Sequence, residues 1–502
     1  MVEHQINEEE MRLKKIETLR AAGIDPFPAQ TSRTHTVTAF LGDFDALKKE
    51  QTMVRLAGRV MLLRKQGGVT FAQLEDGDAR VQLVVRKDEV SEASYEQFKA
   101  TIDRGDFIEV GGVTFVTKKG ERSILVRSWR LLAKTIKPLP EKWHGLKDKE
   151  ERFRKRYLDL LMNQDVRKRF EMRSALIASI RNFLTRDGYF EVEPPSLQPI
   201  YGGGFARPFK THHNALNLDV YLPISNEMYL KRLLTGGFEK VYSMTKVFRN
   251  EGVDQDHNPE FTMLEAQAAY TDYHYGMDLI ERIFESVALE IKGTTQLPYQ
   301  GKLINVGRPW KRMSMVESIK EIANVDVLKW KNVAEGKKAI VDFSVAAKQK
   351  EEMETMHSIG ELIAFLFEIK VEETLIQPTI IYDYPVEVCP LAKRCAGDPR
   401  FAERFEYFVF GSELGNNYTE LNDPVDLKKR FIEEKKREEA GFEEAHQFDQ
   451  DYLDAVAYGM PPNCGIAIGI DRMVMLYTDA QSIREVILFP TMRPQTGDAQ
   501  NI

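Results

Sequence analysis

Cysteine is scarce in this sequence, and it contains neither a long apolar run nor a large excess of one charge. The three cysteines among 502 residues, Cys389, Cys395 and Cys464, form no Cys-x-x-Cys pair, so neither a thiolate zinc site nor a disulfide framework is expected. No apolar run reaches the length of a membrane span, and the charged N-terminus lacks the apolar segment of a signal peptide. The sequence therefore predicts a cytoplasmic protein without a membrane partner.

The composition leaves room for large buried cores. Hydrophobic residues make up 43% of the chain and charged residues 29%, as in ordinary globular proteins. A net charge of −7 argues against a protein that coats nucleic acid by charge alone. The length is that of about two domains.

Residues 1–145 are predicted to form a helix followed by a β-barrel. Apolar side chains recur at helical spacing over 7–23, and Gly23 is suited to end that helix. Five strand-like runs follow between Val54 and Ala133, separated by glycine-containing turns and interrupted by a helical segment near 91–102. Five short strands in roughly 80 residues are typical of a small closed barrel of the oligonucleotide-binding (OB) type.

A charged linker is predicted at 146–164 and a second domain at 165–502. The linker contains the basic run 152–156, which suits either a solvated helix face or a contact for nucleic acid. In the second domain, helical spacing over 172–184, 277–292 and 425–440 alternates with strand-like runs at 239–250 and 260–270. Residues 465–490 read as strand, helix and strand. Antiparallel strands with segregated helices predict the α+β class.

The segment FRNEGVDQDHNPEF (248–261) reads as a hairpin that presents Arg249 at its mouth and His257 in its loop. A guanidinium group has the planar fork that suits phosphate oxygens. Because side chains alternate along a strand, Phe261, Glu265 and Gln267 share one face, with an aromatic platform at one end and polar groups at the other. Arg249 alone would more often be a surface ion-pair partner, but the hairpin arrangement favours a functional site.

Three glutamates, Glu406, Glu413 and Glu420, fall seven residues apart. Carboxylates on neighbouring strands suit Mg²⁺, which takes oxygen ligands and shares them with phosphates. On one straight strand this spacing alternates between faces, so Gly411 and Gly415 must turn or bulge the chain if the glutamates converge. The alternative is a row of solvent-facing acids on an edge strand.

A third segment, GIAIGIDR (465–472), places small residues before Arg472. Together the three segments resemble the three motifs of class II aminoacyl-tRNA synthetases, most closely the lysine-specific family in its bacterial and eukaryotic form. The likeness extends from about Arg55 to Pro494. It includes the segments IYGGGFARPFKTHHNAL (200–216), YLKRLLTGGFEKVY (229–242) and TELNDP (419–424).

The resemblance implies a fold and a reaction. It implies an OB-fold anticodon-binding barrel before a catalytic domain with a six-stranded antiparallel sheet flanked by helices, and a homodimer formed at the long helix before Glu193. The implied reaction is ATP-dependent activation of L-lysine to lysyl-adenylate, with Mg²⁺, followed by transfer to tRNA(Lys) and release of AMP and pyrophosphate. Positioning and electrostatic stabilisation suffice for this chemistry without a protein nucleophile.

The resemblance also implies roles for individual residues. Arg249 and Arg472 would be catalytic, with Arg249 on the α-phosphate and adenine stacked between Phe261 and Arg472. The implied ATP-binding set is Arg249, Glu251, His257, Phe261, Glu406 and Arg472. The implied metal ligands are Glu406 and Glu413. The implied lysine-binding set is Gly204, Glu227, Glu265, Gln267, Asn416, Tyr418 and Glu420. The implied anticodon-binding set is Arg64, Phe71, Gln82 and Glu121.

The sequence departs from the family pattern at several of these positions. Gln267 stands where a tyrosine is usual, and Tyr418 stands where phenylalanine is common and could supply the missing hydroxyl. Asp256 places an acid beside the expected ATP tail, and Ala467 replaces a glycine. Two alternatives therefore stay open, a related ligase with another amino-acid substrate and a non-catalytic RNA-binding relative. Glu420 favours lysine, because a buried carboxylate is left unpaired by a neutral substrate.

Overall fold

The structure is a computed structural model that describes residues 2–77, 79–140, 148–204, 206–341, 343, 346–439 and 447–495. The chain forms two compact units, Met1–Lys147 and Asp148–Ile502, so residues 148–164 of the predicted linker belong to the second unit. Residues 146 and 147 of the predicted linker lie outside the described residues. In the described part of the chain, no helix is both long and apolar enough to cross a membrane.

The first unit contains the predicted barrel. Its helices are α1 (Val2–Ala21), α2 (Val37–Gly42), α3 (Phe44–Glu50), α4 (Lys87–Val90) and α5 (Glu92–Thr101). Its strands are β1 (Val54–Gln66), β2 (Val69–Asp76), β3 (Ala79–Arg86), β4 (Phe107–Val116) and β5 (Arg122–Ala133), closed in the order β1-β2-β3-β5-β4. A Cβ at Gly58 or Gly112 would lie 2.4 or 2.2 Å from a backbone carbonyl oxygen of the facing strand, so both positions need glycine.

The second unit alternates helices and strands. Its helices are α6 (Lys149–Arg154), α7 (Arg156–Met162), α8 (Gln164–Arg186), α9 (Glu227–Thr235), α10 (Tyr273–Lys292), α11 (Met315–Ala323), α12 (Val333–Val341), α13 (Ala347–Glu354), α14 (Ile359–Lys370), α15 (Pro424–Glu439), α16 (Gln450–Ala457) and α17 (Ile470–Thr478). Its strands are β6 (Phe190–Glu191), β7 (Lys210–His213), β8 (Leu218–Tyr221), β9 (Lys240–Phe248), β10 (Glu260–Ala269), β11 (Gln296–Tyr299), β12 (Lys302–Asn305), β13 (Lys311–Ser314), β14 (Thr379–Pro385), β15 (Phe401–Val409), β16 (Ser412–Thr419) and β17 (Asn463–Gly469).

The main sheet of this unit has eight strands in the order β13-β14-β15-β16-β17-β10-β9-β6. The six strands from β14 to β9 are antiparallel throughout, as the resemblance implied. The implied number of strands is nevertheless wrong, because β13 and β6 add parallel edges. The four residues of β13 are too few for an alternating pattern to reveal that strand.

The strand predicted near the C-terminus is also wrong. Residues 479–495 contain no strand, and a short 3₁₀ helix occupies Ile483–Glu485. The buried guanidinium group of Arg156 donates to the carbonyl oxygens of Arg484 at 2.7 Å, Ile487 at 3.2 Å and Leu488 at 3.0 Å. These carbonyl groups are therefore satisfied without a neighbouring strand, and Arg156 is neither a solvated residue nor a contact for nucleic acid.

The two faces of the central sheet have different partners. Apolar side chains of β10, β15 and β17, such as Leu264, Tyr407 and Ile466, pack in one core with α8, α10 and α17. The residues between them on the same strands, including Glu265, Glu406 and Ala467, point to the opposite face. This opposite face carries the residues described next.

Candidate active site

A cavity of about 200 Å³ lies on this opposite face, at the end where β9 and β10 meet the start of α17. Its walls include five of the six residues predicted to bind ATP, namely Arg249, Glu251, His257, Phe261 and Arg472. Glu406 is not among the residues that line it. Asp256 lines it as an exposed residue, and Ala467 lines it from β17.

Arg249 follows β9 directly and lies against Phe261, with its guanidinium carbon 5.2 Å from the ring centroid. Burial lowers the pKa of Arg249, and the nearby charges of Glu413, Glu251 and Glu265 oppose that shift. Its Nε is buried and has no hydrogen-bond partner among the described residues. A cation with an unused donor at the edge of a cavity is suited to bind an anion.

Arg472 forms the opposite wall, in the first turn of α17. Its guanidinium group donates to the backbone carbonyl of Glu413 and lies 3.3 Å from Nε2 of His257. The other ring nitrogen of His257 lies 2.9 Å from a carboxylate oxygen of Asp254, which holds the imidazole in place. Phe261 and Arg472 therefore flank one opening, as stacking of an aromatic base would require.

A second cavity of about 210 Å³ shares Arg249, Glu413 and Asn416 with the first. Its walls also include three residues predicted to bind lysine, Gly204, Glu227 and Tyr418. A ligand in each cavity would therefore meet the other beside Arg249.

Behind this second cavity lies a buried cluster of charges. The carboxylate of Glu420 is 1% exposed and accepts a hydrogen bond from the side-chain nitrogen of Gln267 at 2.8 Å. The side-chain oxygen of Gln267 is buried and has no partner among the described residues. Tyr418 donates its hydroxyl to Glu227 at 2.5 Å. Gly465 makes room for this cluster, since a Cβ there would lie 2.3 Å from both Gln267 and Glu420.

Lys231 completes the cluster and was missed by the sequence analysis. Its ammonium group contacts the Glu227 carboxylate, lies 2.5 Å from the Glu420 carboxylate, and faces the ring of Tyr418 at 5.1 Å. Burial lowers the pKa of Lys231, but the two carboxylates outweigh burial and the net shift is upward. The residue is therefore a fixed cation. The spacing of Glu227 and Lys231, one helical turn apart, was the available signal.

Glu265 lines neither cavity. Its carboxylate accepts hydrogen bonds from the Ser225 hydroxyl and, at 2.7 Å, from the Asn226 backbone. Burial raises the pKa of Glu265 to about 7, although these hydrogen bonds act in the opposite direction. Both oxygens thus anchor the segment that leads into α9 and Glu227.

Glu406 and Glu413 lie on neighbouring strands and on the same face of the sheet. The chain turns at Phe410 and Gly411, and the ladder between β15 and β16 then shifts by one residue at Leu414. This turn and bulge bring the three evenly spaced glutamates to one face. Burial raises the pKa of Glu406 to about 7, with a further contribution from Glu413, while Arg404 opposes the shift.

The geometry at these two glutamates fits a shared cation. No group of three or more potential metal-binding side chains occurs in the described ranges. Glu413 lines both cavities and Glu406 lies on the same face of the neighbouring strand, and Mg²⁺ is usually held by one or two carboxylates together with phosphate oxygens.

The predicted anticodon residues come together on the outer surface of the barrel in the first unit. Arg64 is paired with Phe71 across β1 and β2, and Gln82 is paired with Gln73, on the same side as Phe71. Gln82 donates its side-chain amide to Glu121 at 2.8 Å. The half-buried ring of Phe71 is not part of the barrel core, so its face is available to a ligand.

Comparison with known proteins agrees with both units. The family profile described as tRNA synthetases class II (D, K and N) matches residues 148–493, and an OB-fold nucleic acid binding domain profile matches 54–132. A lysine–tRNA ligase from Pelotomaculum thermopropionicum is 48% identical over 97% of this chain and 94% of its own length. The chain belongs to the lysine–tRNA ligase family. Lysine–tRNA ligases from Carboxydothermus hydrogenoformans and Roseiflexus castenholzii are each 47% identical over 98% of this chain and all of their own length.

Membership of this family confirms the predicted fold. The chain is a class II synthetase with an anticodon-binding OB domain, and its class is α+β. Cys389, Cys395 and Cys464 are free cysteines, two of them buried.

Proposed function

We propose that this protein activates L-lysine with ATP and transfers it to tRNA(Lys). In the first step a lysine carboxylate oxygen bonds to the α-phosphorus of ATP, and the bond to the bridging oxygen breaks to release pyrophosphate. In the second step a tRNA hydroxyl oxygen attacks the carbonyl carbon of lysyl-adenylate and AMP leaves, while the hydroxyl proton passes to phosphate or solvent. The observation that carries the proposal is the meeting of two cavities at Arg249, one flanked by Phe261 and Arg472 and the other lined by Glu227.

ATP would occupy the first cavity. Adenine would stack between Phe261 and Arg472, with Glu251 at its amino group and His257 toward the phosphate tail. The unpaired donor of Arg249 would bind the α-phosphate, where it offsets the repulsion between two anionic reactants. The larger recess of about 660 Å³ that shares Asp256, Glu413 and Arg472 would hold the departing pyrophosphate.

Lysine would occupy the second cavity, with its carboxylate at Arg249. Gly204, Glu227 and Asn416 would receive the α-ammonium end, supported by Glu265 beneath α9. Glu420 would attract the side-chain ammonium, and the unpaired oxygen of Gln267 supplies an acceptor beside it. The hydroxyl of Tyr418 donates to Glu227. It therefore does not stand directly in the place of the tyrosine hydroxyl that the family usually has at position 267.

Mg²⁺ would be held by Glu406 and Glu413 together with phosphate oxygens. When bound, the ion would neutralise charge on the phosphates. The carboxylate of Glu406 is held in one orientation, because Tyr384 donates to it at 2.8 Å and Arg404 donates to its other oxygen.

The barrel would read the tRNA anticodon. Phe71 offers a stacking platform, and Arg64, Gln82 and Glu121 offer polar groups to base edges, the combination with which such barrels bind unpaired bases. A cytoplasmic location, where tRNA is charged for translation, is part of this proposal.

A second copy of the chain would cover an apolar surface near α8. Phe190 and Phe238 are 58% and 42% exposed, and their rings stack at 5.6 Å. Leu216 is 68% exposed. Large exposed apolar side chains of this kind mark an interaction surface, and the resemblance implies a homodimer here. Light scattering after size-exclusion chromatography should give twice the monomer mass. The double variant Phe190→Ser/Phe238→Ser should shift the measured mass towards that of the monomer.

ATP–pyrophosphate exchange with each amino acid in turn tests the proposed activity. Lysine should support exchange, and Glu420→Gln should raise the KM for lysine by about a hundredfold while changing the KM for ATP little. Glu433→Gln, an exposed change on α15, is the matched control. Exchange with another amino acid but not lysine would support a related ligase, and no exchange at all would support an RNA-binding relative.

A further inference from the structure

A buried ion pair connects α8 to the neighbours of both side chains that flank the proposed adenine site. Arg173 on α8 donates one nitrogen to Asp471 at 2.6 Å and the other to the Thr262 hydroxyl at 3.0 Å. The second carboxylate oxygen of Asp471 accepts the backbone N–H of Thr262 at 2.6 Å. Thr262 directly follows Phe261, and Asp471 directly precedes Arg472. The Asp471 carboxylate therefore connects the backbone next to Phe261 with the backbone next to Arg472.

The sheet explains why a side chain is needed here. The ladder between β10 and β17 ends at the pair Met263 and Gly469, because α17 begins at the next residue. The N–H of Thr262 therefore has no strand partner on that side, and the Asp471 carboxylate replaces the missing carbonyl. Asp471 is 1% exposed, so its charge requires a partner, and Arg173 supplies it.

Arg173 also contacts the C-terminal segment. The nitrogen that binds Asp471 lies 3.2 Å from the carbonyl oxygen of Val486. The guanidinium group thus bridges α8, β10, the start of α17 and the segment that follows it. Three hydrogen bonds from one planar guanidinium group fix the direction of Arg173 more closely than a single ion pair would.

We propose that Arg173 and Asp471 are positioning residues for ATP, which hold Phe261 and Arg472 at the separation that admits an adenine ring. This inference rests on the proposed function, which places adenine between those two side chains. Through the hydrogen bonds of Arg173, α8 would contact the residues next to the proposed nucleotide site directly. The resemblance implies that the same helix forms the dimer.

The test is nucleotide binding by Arg173→Met, Arg173→Lys and the control Arg169→Met. Arg169 also lies on α8, one turn earlier, and forms a 2.7 Å ion pair with Glu485, but among the described residues it makes no bond to β10 or α17. Affinity for the β,γ-imido analogue of ATP is measured by calorimetry on the full chain without lysine or tRNA. Affinity for lysine alone and the thermal midpoint are measured in parallel.

Arg173→Met should weaken nucleotide binding by roughly tenfold or more, the worth of a charge-assisted bond, and should leave lysine binding within about twofold. Arg173→Lys, which keeps the charge but cannot bridge two acceptors, should recover part of that loss. Arg169→Met should change nucleotide binding by less than about twofold. Equal losses of lysine and nucleotide binding in Arg173→Met would show a merely structural role and overturn the proposal.

A milder variant keeps the test open if Arg173→Met does not fold. Thr262→Val removes only the hydroxyl acceptor and should weaken nucleotide binding with unchanged lysine binding, whereas wild-type affinity for the nucleotide would contradict the proposal. Failure of the proposed function gives a different result, since the wild-type chain would then bind nucleotide without lysine-dependent exchange.

Discussion

The buried ammonium group of Lys231 lies 2.5 Å from the carboxylate of Glu420, so the acidic cluster behind the second cavity already contains one positive charge. Glu227 supplies a second carboxylate to the same ammonium group. When both carboxylates are ionised, two negative charges and one positive charge leave a net charge of one negative, which one substrate ammonium group would balance. Burial raises the pKa of Glu420 to about 8, and that ammonium group would favour its ionised form. An ammonium-bearing substrate would complete the balance, and a neutral one would leave a buried charge unpaired.

Substitution of Lys231 by methionine should be strongly destabilising. Loss of one member of a buried ion pair leaves an uncompensated charge and costs about 3–5 kcal/mol in the free energy of unfolding. Urea denaturation of the full chain measures this loss in the free energy of unfolding. The control is Lys155→Met, which breaks the half-exposed ion pair with Glu151 and should cost less than about 1 kcal/mol. The double variant Lys231→Met/Glu420→Gln should be more stable than Lys231→Met alone. Simple addition of the two single effects would contradict this account.

The stability of the unliganded protein should depend on the titration of Glu265. Its ordinary pKa of 4.5 is raised to about 7 by burial, so between these values the folded state holds a proton that the unfolded state has lost. Stability contributed by this group is therefore present below about pH 4.5 and decreases as pH rises towards 7, by about 3 kcal/mol in total. Denaturation of wild type and Glu265→Gln at several pH values should show a smaller decrease in the variant. Parallel curves would refute the assignment.

The proposed requirement for Mg²⁺ should change when Glu406 or Glu413 is neutralised. Glu413→Gln should raise the magnesium concentration for half-maximal exchange about tenfold, because one of two carboxylate ligands is lost. Binding of Mn²⁺ in the presence of ATP, followed by electron paramagnetic resonance, provides a readout that is independent of turnover. Glu433→Gln is again the control. An unchanged metal requirement in Glu413→Gln would remove this residue from the site.

Phe71→Leu should weaken tRNA binding without affecting the catalytic unit. Loss of one stacked base costs about 1–3 kcal/mol, which corresponds to roughly fivefold to 150-fold in affinity. ATP–pyrophosphate exchange in the absence of tRNA should not change. Phe107→Leu is the matched control, since Phe107 is a 37% exposed ring of the same barrel that stacks with Arg59. Equal binding of tRNA by the two variants would argue against a role for the Phe71 face.

Period-two patterns predicted the strands of the site well. Alternation along β10 placed Phe261, Glu265 and Gln267 on one face, and the structure has them on the face opposite the helical core. The requirement for a turn and a bulge near Gly411 and Gly415 also agrees with the observed turn and the shift at Leu414. These features depend on local chain geometry, which a sequence expresses directly.

Other features depend on partners far away in the chain. Lys231 and Glu420 are separated by many elements, and neither local pattern indicates that they meet in the interior. The segment 486–490 has the apolar composition of a strand, but Arg156, more than three hundred residues earlier, satisfies its carbonyl groups instead. Glu265 was expected to face the substrate, whereas its oxygens are taken by Ser225 and Asn226. Contacts of this kind cannot be inferred from spacing.

The bulge residue Leu414 determines to which face of the sheet each later residue of β16 points. Glu413 precedes it and Asn416, Tyr418 and Glu420 follow it at odd spacings, which regular alternation would place on opposite faces. The bulge cancels that reversal, so the proposed metal ligand and the proposed lysine pocket lie on one face of the sheet. One further residue inserted into this strand would reverse them, whereas loss of the extra residue would leave them together at regular alternation.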